Sequence, residues 1–363
     1  MYKFELLKKT ELMIRMNYLI IGILTIFYTG FQKQVYGQEQ KSYKVACVGF
    51  YNLENLFDTE DDPKIKDEEF MPNGRYAWTN EKYNNKLNNM ADVIADLGTS
   101  SSPDGMAVLG VSEVENKKVL EDLVKQEKIA HRNYKIIHFD SPDRRGIDVG
   151  LLYQEKYFKP TNSVSYELKF KDFPDYYTRD QLVVSGELDG DKITFIVVHW
   201  PSRSGGQAAS EPRRVDAANL GRHIVDSLLL NDPNARIVLM GDLNDDPVDK
   251  SVKEALSAKG KISKLKEKDL FNPMFRKFKT GDCTLAYRDA WNLFDQLIIS
   301  QGLLSRDETE FVYHRAYVYS KDYLKQKEGR YKGYPLRTHA GGEYLNGYSD
   351  HFPVYMVLKK LAN

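Results

Sequence analysis

The 363-residue sequence predicts an α+β (or α/β) layered protein. Three observations predict it: short apolar runs recur along the chain, stretches with helical apolar spacing lie between them, and no repeat or long linker divides residues 38–363.

The strand candidates, in order, are Lys44–Tyr51, Tyr134–Phe139, Asp148–Tyr153, Gln181–Leu188, Lys192–His199, Arg236–Met240, Phe294–Ile299 and Pro353–Leu358. Several are continuous apolar runs rather than alternations, which suits strands buried between layers. Leu87, Met90, Val93, Ile94 and Leu97 follow the spacing of one helix face, as do Val119, Leu120, Leu123 and Val124. A third helix is expected over about 211–230, with Val215, Ala218, Ile224, Val225 and Leu228 on or near its buried face. The lysine-rich segment Lys250–Lys279 reads as a solvated surface loop and helix.

Ahead of this domain, Lys3, Lys8, Lys9 and Arg15 precede an uncharged stretch, Met16–Gln32, whose apolar heart is Tyr18–Phe31. Val35-Tyr36-Gly37-Gln38 then offers a small residue at a cleavage point. Basic, apolar, then small is the layout of a secretory signal, so residues 1–37 are expected to be removed, with Met16 an alternative start. The mature chain, 38–363, would be exported to a periplasmic or extracellular location, with no stable membrane span left after cleavage. An uncleaved anchor is the alternative, because the stretch approaches the ~20 residues a span needs.

Basic and acidic residues balance at 52 each, and removal of 1–37 leaves 47 against 50. No global basic field favours unspecific nucleic-acid binding, although a local basic groove stays open. No obligate protein partner is evident. Only Cys47 and Cys283 are present, too few for a metal cluster. Cys47, in an apolar run, reads as a buried free thiol, and whether the two pair is left open.

Polar residues collect where apolar strands end. Asn52, Glu54 and Asn55 follow Val48–Tyr51; Ser112 and Glu113 follow Val108–Val111; His199 follows Phe195–Val198. Asp242, Asn244 and Asp245 follow Ile237–Gly241, Asp295 sits among Leu293–Ile299, and Ser349-Asp350-His351 precedes the last strand. A carboxylate or imidazole bordering a buried strand carries a desolvation cost and should have a partner. Singly, each acidic residue is more often a cap or turn residue; the coincidence of six such sites makes the case. Carboxylates and carboxamides are hard donors suited to Mg²⁺, Mn²⁺ or Ca²⁺. No zinc motif or Walker loop occurs, and Gly110-Val111-Ser112-Glu113-Val114 lacks the second glycine of a nucleophile elbow.

These segments, in this order, resemble the motifs of the endonuclease/exonuclease/phosphatase superfamily. They are Phe50-Tyr51-Asn52-Leu53-Glu54-Asn55, Gly110-Val111-Ser112-Glu113-Val114, Asp148–Tyr153, Gly241-Asp242-Leu243-Asn244-Asp245, Phe294-Asp295-Gln296 and Ser349-Asp350-His351. The match spans about 43–358 and is specific through its order. The resemblance implies a DNase I-like four-layer α/β/β/α sandwich, two packed mixed β-sheets flanked by helices. It implies Glu113 as principal metal carboxylate, with Asn52, Glu54 and Asp350 around the same Mg²⁺ (or Mn²⁺ or Ca²⁺). Asp242 resembles the aspartate that orients or deprotonates water, and Asn244 the group beside it that holds a phosphate oxygen. His351 resembles the imidazole at the scissile phosphate, its tautomer fixed by Asp295. His199 resembles a second histidine with Asp148 as its carboxylate partner, and Arg179 a phosphate-contacting arginine.

For Asp148 a plain strand cap is the alternative reading. In the loop His199–Gly206, Arg203 is a candidate phosphate reader, and Arg337–Gly342 is a second candidate lining of the cleft. His131, His138, His223, His314 and His339 match no motif and read as ordinary residues. The expected activity is metal-dependent phosphodiester hydrolysis by water, with extracytoplasmic nucleic acid as the foremost phosphate-ester substrate. The alternatives are a phosphatase or phosphodiesterase for phospholipid headgroups or sugar phosphates, and an exported binding module without turnover.

Overall fold

The computed structural model describes residues 2–30 and 41–362, and the chain divides into two units, Met1–Ser42 and Tyr43–Asn363. In the first, α1 spans Tyr2–Gly30. No helix among the described residues is long and apolar enough to cross a membrane. The expected cleavage region, Val35–Gln38, lies outside the described residues.

The second unit opens with β1 (Tyr43–Leu56), α2 (Asn80–Asp96), β2 (Met106–Val114), α3 (Lys117–Val124) and α4 (Glu127–Ala130). Next come β3 (Tyr134–His138), β4 (Asp148–Gln154), β5 (Phe158–Tyr166), β6 (Gln181–Leu188), β7 (Asp191–His199) and α5 (Gln207–Asn231). Then follow β8 (Ile237–Asp242), the short β9 (Ala258–Lys259) and β10 (Leu270–Phe271), and α6 (Met274–Lys279). A hairpin, β11 (Leu285–Tyr287) and β12 (Ala290–Asn292), leads to β13 (Asp295–Ile299) and β14 (Val312–Val318). A second small hairpin, β15 (His339–Ala340) and β16 (Glu343–Tyr344), precedes β17 (Val354–Leu361).

Two mixed sheets result, in the orders β14-β17-β1-β2-β4-β3 and β5-β6-β7-β8-β13-β10-β9. Strand alternation explains how they stack. Val48 and Phe50 of β1 share a buried cluster with Phe195 and Val197 of β7 and with Val238 and Met240 of β8. That cluster is the layer between the sheets. The alternate residues Cys47 and Tyr51 face Leu87, Met90 and Ile94 of α2, while Ile196 and Val198 face Ala217, Ala218 and Val225 of α5. The expected four-layer α/β/β/α sandwich is therefore present. Phe195 meets Phe158 edge-on at 5.1 Å between the sheets, and truncating it to alanine would cost about 3–5 kcal/mol.

Local chemistry sets the helix starts. Thr79 caps α2 by accepting from the Lys82 amide, and Asn116 caps α3 by accepting from Val119 at 3.1 Å. Of the expected face of α5, Ala218, Ile224 and Val225 are buried, with Arg214, Gly221 and Leu229 beside them; Leu228 packs half-buried against the same cluster, and Val215 is half-buried. Arg214 tolerates burial because its Nε lies 2.8 Å from Asp245 and its Nη1 donates to Ser210. Both cysteines are free; burial pushes the Cys47 thiol up to about 12.

Candidate active site

Strand direction brings the motif residues to one edge of the sandwich. β1 and β2 run parallel, as do β7 and β8, so Asn52 lies beside Ser112, and His199 beside Asp242, where those strands end. β13 starts antiparallel to β8 with Asp295 opposite Asp242. β17 starts antiparallel to β1, which sets Ser349–His351 at the same edge. Ser349 ties the motif down: its hydroxyl donates to the Asn52 carbonyl at 2.8 Å and accepts from the His351 amide at 3.1 Å.

The backbone is strained where the chemistry gathers. Glu54, Asn55, Glu113 and Asn244 adopt φ of 49°, 51°, 57° and 49°, the left-handed region that non-glycine residues avoid. Register shifts between Asn52 and Leu56 in β1, and between Ser112 and Val114 in β2, mark the same places. Each irregularity re-aims a side chain that a regular strand would turn away. Glu113 accepts from the Asn52 amide at 3.2 Å and from the Asn55 backbone N–H at 3.0 Å.

The centre is a compact buried array. Asn52 Nδ2 also donates to Asp242 Oδ2 at 3.1 Å, joining the two sheets. Asp242 Oδ1 accepts from the Asn244 amide at 2.9 Å. Burial, with Asp295 and Glu113 nearby, pushes the Asp242 carboxyl up to about 7, against the lowering pull of His351 and the Asn244 amide. His351 Nδ1 lies 2.7 Å from Asp295 Oδ2, and its Nε2 3.9 Å from Asp242 Oδ2. Burial alone would favour its neutral form, but Asp295 and Asp242 outweigh it and hold the imidazole well above its ordinary value. His199 is the opposite case. Burial, then Arg179 and Arg145, hold it well below, so it is a neutral imidazole with Nε2 3.5 Å from Asp242 and 3.9 Å from Glu113.

Ligand atoms of Glu113, His199 and Asp242 lie within 4.8 Å of one another, as do those of Asp242, Asp295 and His351. The carboxylates of Glu113 and Asp242 give this set the oxygen majority that hard divalent cations take, whereas Asn52, expected as a ligand, turns its Nδ2 to both carboxylates and its Oδ1 to the Glu54 amide. The residues present therefore fit a divalent metal at Glu113.

Several expected partners are placed elsewhere. Glu54 does not turn to Glu113: it accepts from Arg337 Nε at 3.0 Å and the Thr338 amide at 2.7 Å, with Lys86 Nζ 3.7 Å away. Arg337 Nη2 donates to Asp350 at 2.8 Å, so one guanidinium spans two of the four expected metal ligands. Burial and the Asp350 charge raise the Glu54 carboxyl, and burial pulls the Lys86 ammonium down to about 8. Asp148 lies against His138, 3.1 Å from its Nε2, and accepts from the Ser141 amide at 2.8 Å. It is His138, and not His199, that it partners, because β3 and β4 are neighbours in one sheet while His199 is in the other.

The two candidate phosphate arginines are likewise engaged. Arg179 is buried, donating to Asp143 at 3.0 Å and to the Trp200 carbonyl at 2.6 Å. Arg203 donates to the Asn244 carbonyl, Asp245 and Asp249, and its guanidinium lies 4.4 Å from the centre of the Phe294 ring. Asn244 Nδ2 donates to the Trp200 carbonyl at 3.0 Å, which uses one of its two N–H groups and leaves the other to a ligand. Lys86 and His138 carried no motif. A lysine among the apolar positions of α2 was the one signal that something acidic awaited it.

A fold of two packed mixed sheets with acidic and imidazole groups at one edge defines a class, the DNase I-like metal-dependent phosphoesterases. The sequence matches the model of the Endonuclease/Exonuclease/phosphatase family over residues 47–360, and the chain belongs to that family. Solved structures share the fold at low identity. An endonuclease/exonuclease/phosphatase family protein from Bacteroides thetaiotaomicron is 16% identical, with 88% of this chain and 97% of that one covered and a TM-score of 0.53. A mannosyl-6-phosphatase of the same organism is 16% identical, with 86% and 99% covered and a TM-score of 0.51. D. rerio TDP2 complexed with single strand DNA product is 14% identical, with 87% and 99% covered and a TM-score of 0.50. No curated protein matches the sequence.

Proposed function

We propose that this chain is an exported hydrolase of phosphodiesters, and that its substrate is nucleic acid outside the cytoplasm. The observation that carries the reading is Asp242 between two imidazoles of opposite character, charged His351 and neutral His199, beside Glu113 and Asn52. Asp242 Oδ2 takes the proton of the attacking water, its Oδ1 being fixed by the Asn244 amide. His351, held by Asp295, presents a charged N–H at Nε2 to a phosphoryl oxygen. His199 gives a hydrogen bond without adding charge, which leaves the donor set free for a cation. Glu113, its carboxylate positioned by the Asn52 Nδ2, would hold Mg²⁺, or Mn²⁺ or Ca²⁺, which when bound neutralises phosphoryl oxygens and lowers the pKa of a water.

Two features support nucleic acid and export. TDP2, which shares the fold, is complexed with single strand DNA product, and the N-terminus runs from basic through apolar to a small residue. The mannosyl-6-phosphatase sharing the fold favours a second reading, a phosphatase for sugar phosphates. A panel of plasmid DNA, RNA, a chromogenic diester, a phospholipid and a sugar monophosphate, each with and without chelator, tests the assignment. Chelator-sensitive cleavage of DNA or RNA is expected. Turnover confined to the monoester would transfer the chain to the second reading, and none at all to a binding role.

A further inference from the structure

Arg337 faces two ways. It holds Glu54 and Asp350 at the reaction centre, and it lines a cavity of about 780 Å³ with Tyr287, Arg288, Arg330, Tyr331 and Tyr334. The volume suits a small organic ligand. One wall is the β11–β12 hairpin; the other is the segment 326–345, which leads into Ser349–His351.

Both walls are anchored to the catalytic residues. Thr284, at the base of the hairpin, accepts from the amides of Phe294 and Asp295 through its hydroxyl, and from the Phe352 amide at 2.7 Å through its carbonyl. The hairpin therefore springs from between Asp295 and the residue that follows His351. Its turn is unusual: Arg288 and Asp289 both take φ above zero, 48° and 66°, at positions where a two-residue hairpin prefers Asn-Gly. Keeping an arginine and an aspartate there costs conformational energy that simple chain reversal does not require.

The lining is made of flat surfaces and cations. Tyr287 is 61% exposed and Tyr331 47% exposed, with the Arg288 guanidinium 5.2 Å and the Arg330 guanidinium 5.6 Å from their respective ring centres. Tyr334 is fixed edge-on to Trp291 at 5.0 Å, and its hydroxyl donates to Asp289 at 2.7 Å. Asp289 is thus engaged, and Arg330 approaches it at 3.5 Å. Gln326 and Glu343 complete the lining and would suit hydroxyls, but its exposed planes and its cations suit a nucleobase and the phosphate attached to it.

We propose that this cavity is a nucleotide subsite, in which a base of the substrate strand stacks on Tyr287 and Tyr331. Arg288, whose guanidinium lies 5.2 Å from the Tyr287 ring centre, faces the phosphate that joins it to the scissile position. The proposal rests on the diester reading above and specifies its substrate.

The test uses the full chain in chelator, so that binding is read without turnover. Adenosine 5′-monophosphate, the dinucleotide pTpT and mannose 6-phosphate are titrated by calorimetry, and KM is then measured on single-stranded DNA with Mg²⁺. Both nucleotides are expected to bind at least tenfold more tightly than the sugar phosphate. Tyr331→Ala and Tyr287→Ala, at exposed positions, should each weaken nucleotide binding and raise KM about tenfold. DNA cleavage with binding and KM unaltered in both variants overturns the subsite and leaves the diester reading standing. Tighter binding of mannose 6-phosphate, lost in the variants, overturns it in favour of a sugar. Nucleotide binding that depends on the tyrosines, with no diester cleaved, sustains the subsite and removes the hydrolytic reading.

Discussion

Asp295 stands directly opposite Asp242 across the antiparallel pair β8–β13, and both carboxylates are buried. Two acids so placed repel unless a cation joins them. His351 is that cation, 2.7 Å from Asp295 and 3.9 Å from Asp242. The sheet register thus sets the protonation of the site: it pairs the acids, and the pair charges the histidine.

Asp295→Asn should lower the His351 pKa in the metal-free chain, seen as an earlier loss of the imidazolium signal in an NMR pH titration. Turnover should fall about 10²–10⁴-fold. An unchanged His351 titration would show that Asp242 suffices to hold the charge.

Asp148 and His138 form their own pair in the first sheet. Asp148→Asn and His138→Ala should destabilise the fold by similar amounts, and the double variant should add little to either. Turnover should stay within about tenfold of the parent, since the pair is separate from the Glu113, Asp242 and His351 array. A loss in Asp148→Asn equal to that in His199→Ala would instead make Asp148 the orienting partner of His199.

Removing the Arg337 side chain leaves Glu54 and Asp350 facing each other without their shared cation. Arg337→Ala should melt below the parent in chelator and gain more from saturating Mn²⁺, because a divalent ion then relieves the repulsion. An equal or smaller gain would place the metal wholly on the Glu113 side.

Glu115 gives the fold a pH signature away from the reaction centre. Its carboxylate accepts from the Asp58 amide at 2.7 Å, yet burial holds its pKa up, from 4.5 to about 8. Between those values the folded chain keeps a proton that the unfolded chain has lost, so this group's contribution to stability falls as pH rises from about 4.5 to 8. In urea unfolding at pH 5 and pH 8.5, Glu115→Gln should flatten that decline. A parallel decline in both chains would assign it to other groups.

What was legible in the sequence followed from burial. Apolar runs such as Phe195–Val198 and Ile237–Met240 announced central strands, and the polar residues ending them announced the site. Of the edge strands, β3 showed as Tyr134–Phe139, but β5 and β14 did not. β5, Phe158–Tyr166, carries Pro160, Asn162 and two serines on a half-exposed strand, and β14 mixes His314 and Arg315 with its apolar residues. The arginines misled because a guanidinium advertises affinity for anions without saying which one. Arg179 meets Asp143, 36 residues away, and Arg203 reaches ahead 42 residues to Asp245. Such pairings are set by which strands become neighbours, and local pattern carries no record of them.

The most direct measurement is Mg²⁺-dependent cleavage of a phosphodiester by the full chain and by Asp242→Asn, with circular dichroism to verify the fold. The account predicts chelator-sensitive turnover in the parent and a loss of about 10²–10⁴-fold in a folded variant. Comparable rates in the two chains would contradict it, because Asp242 would then not be the group that takes the proton of the attacking water.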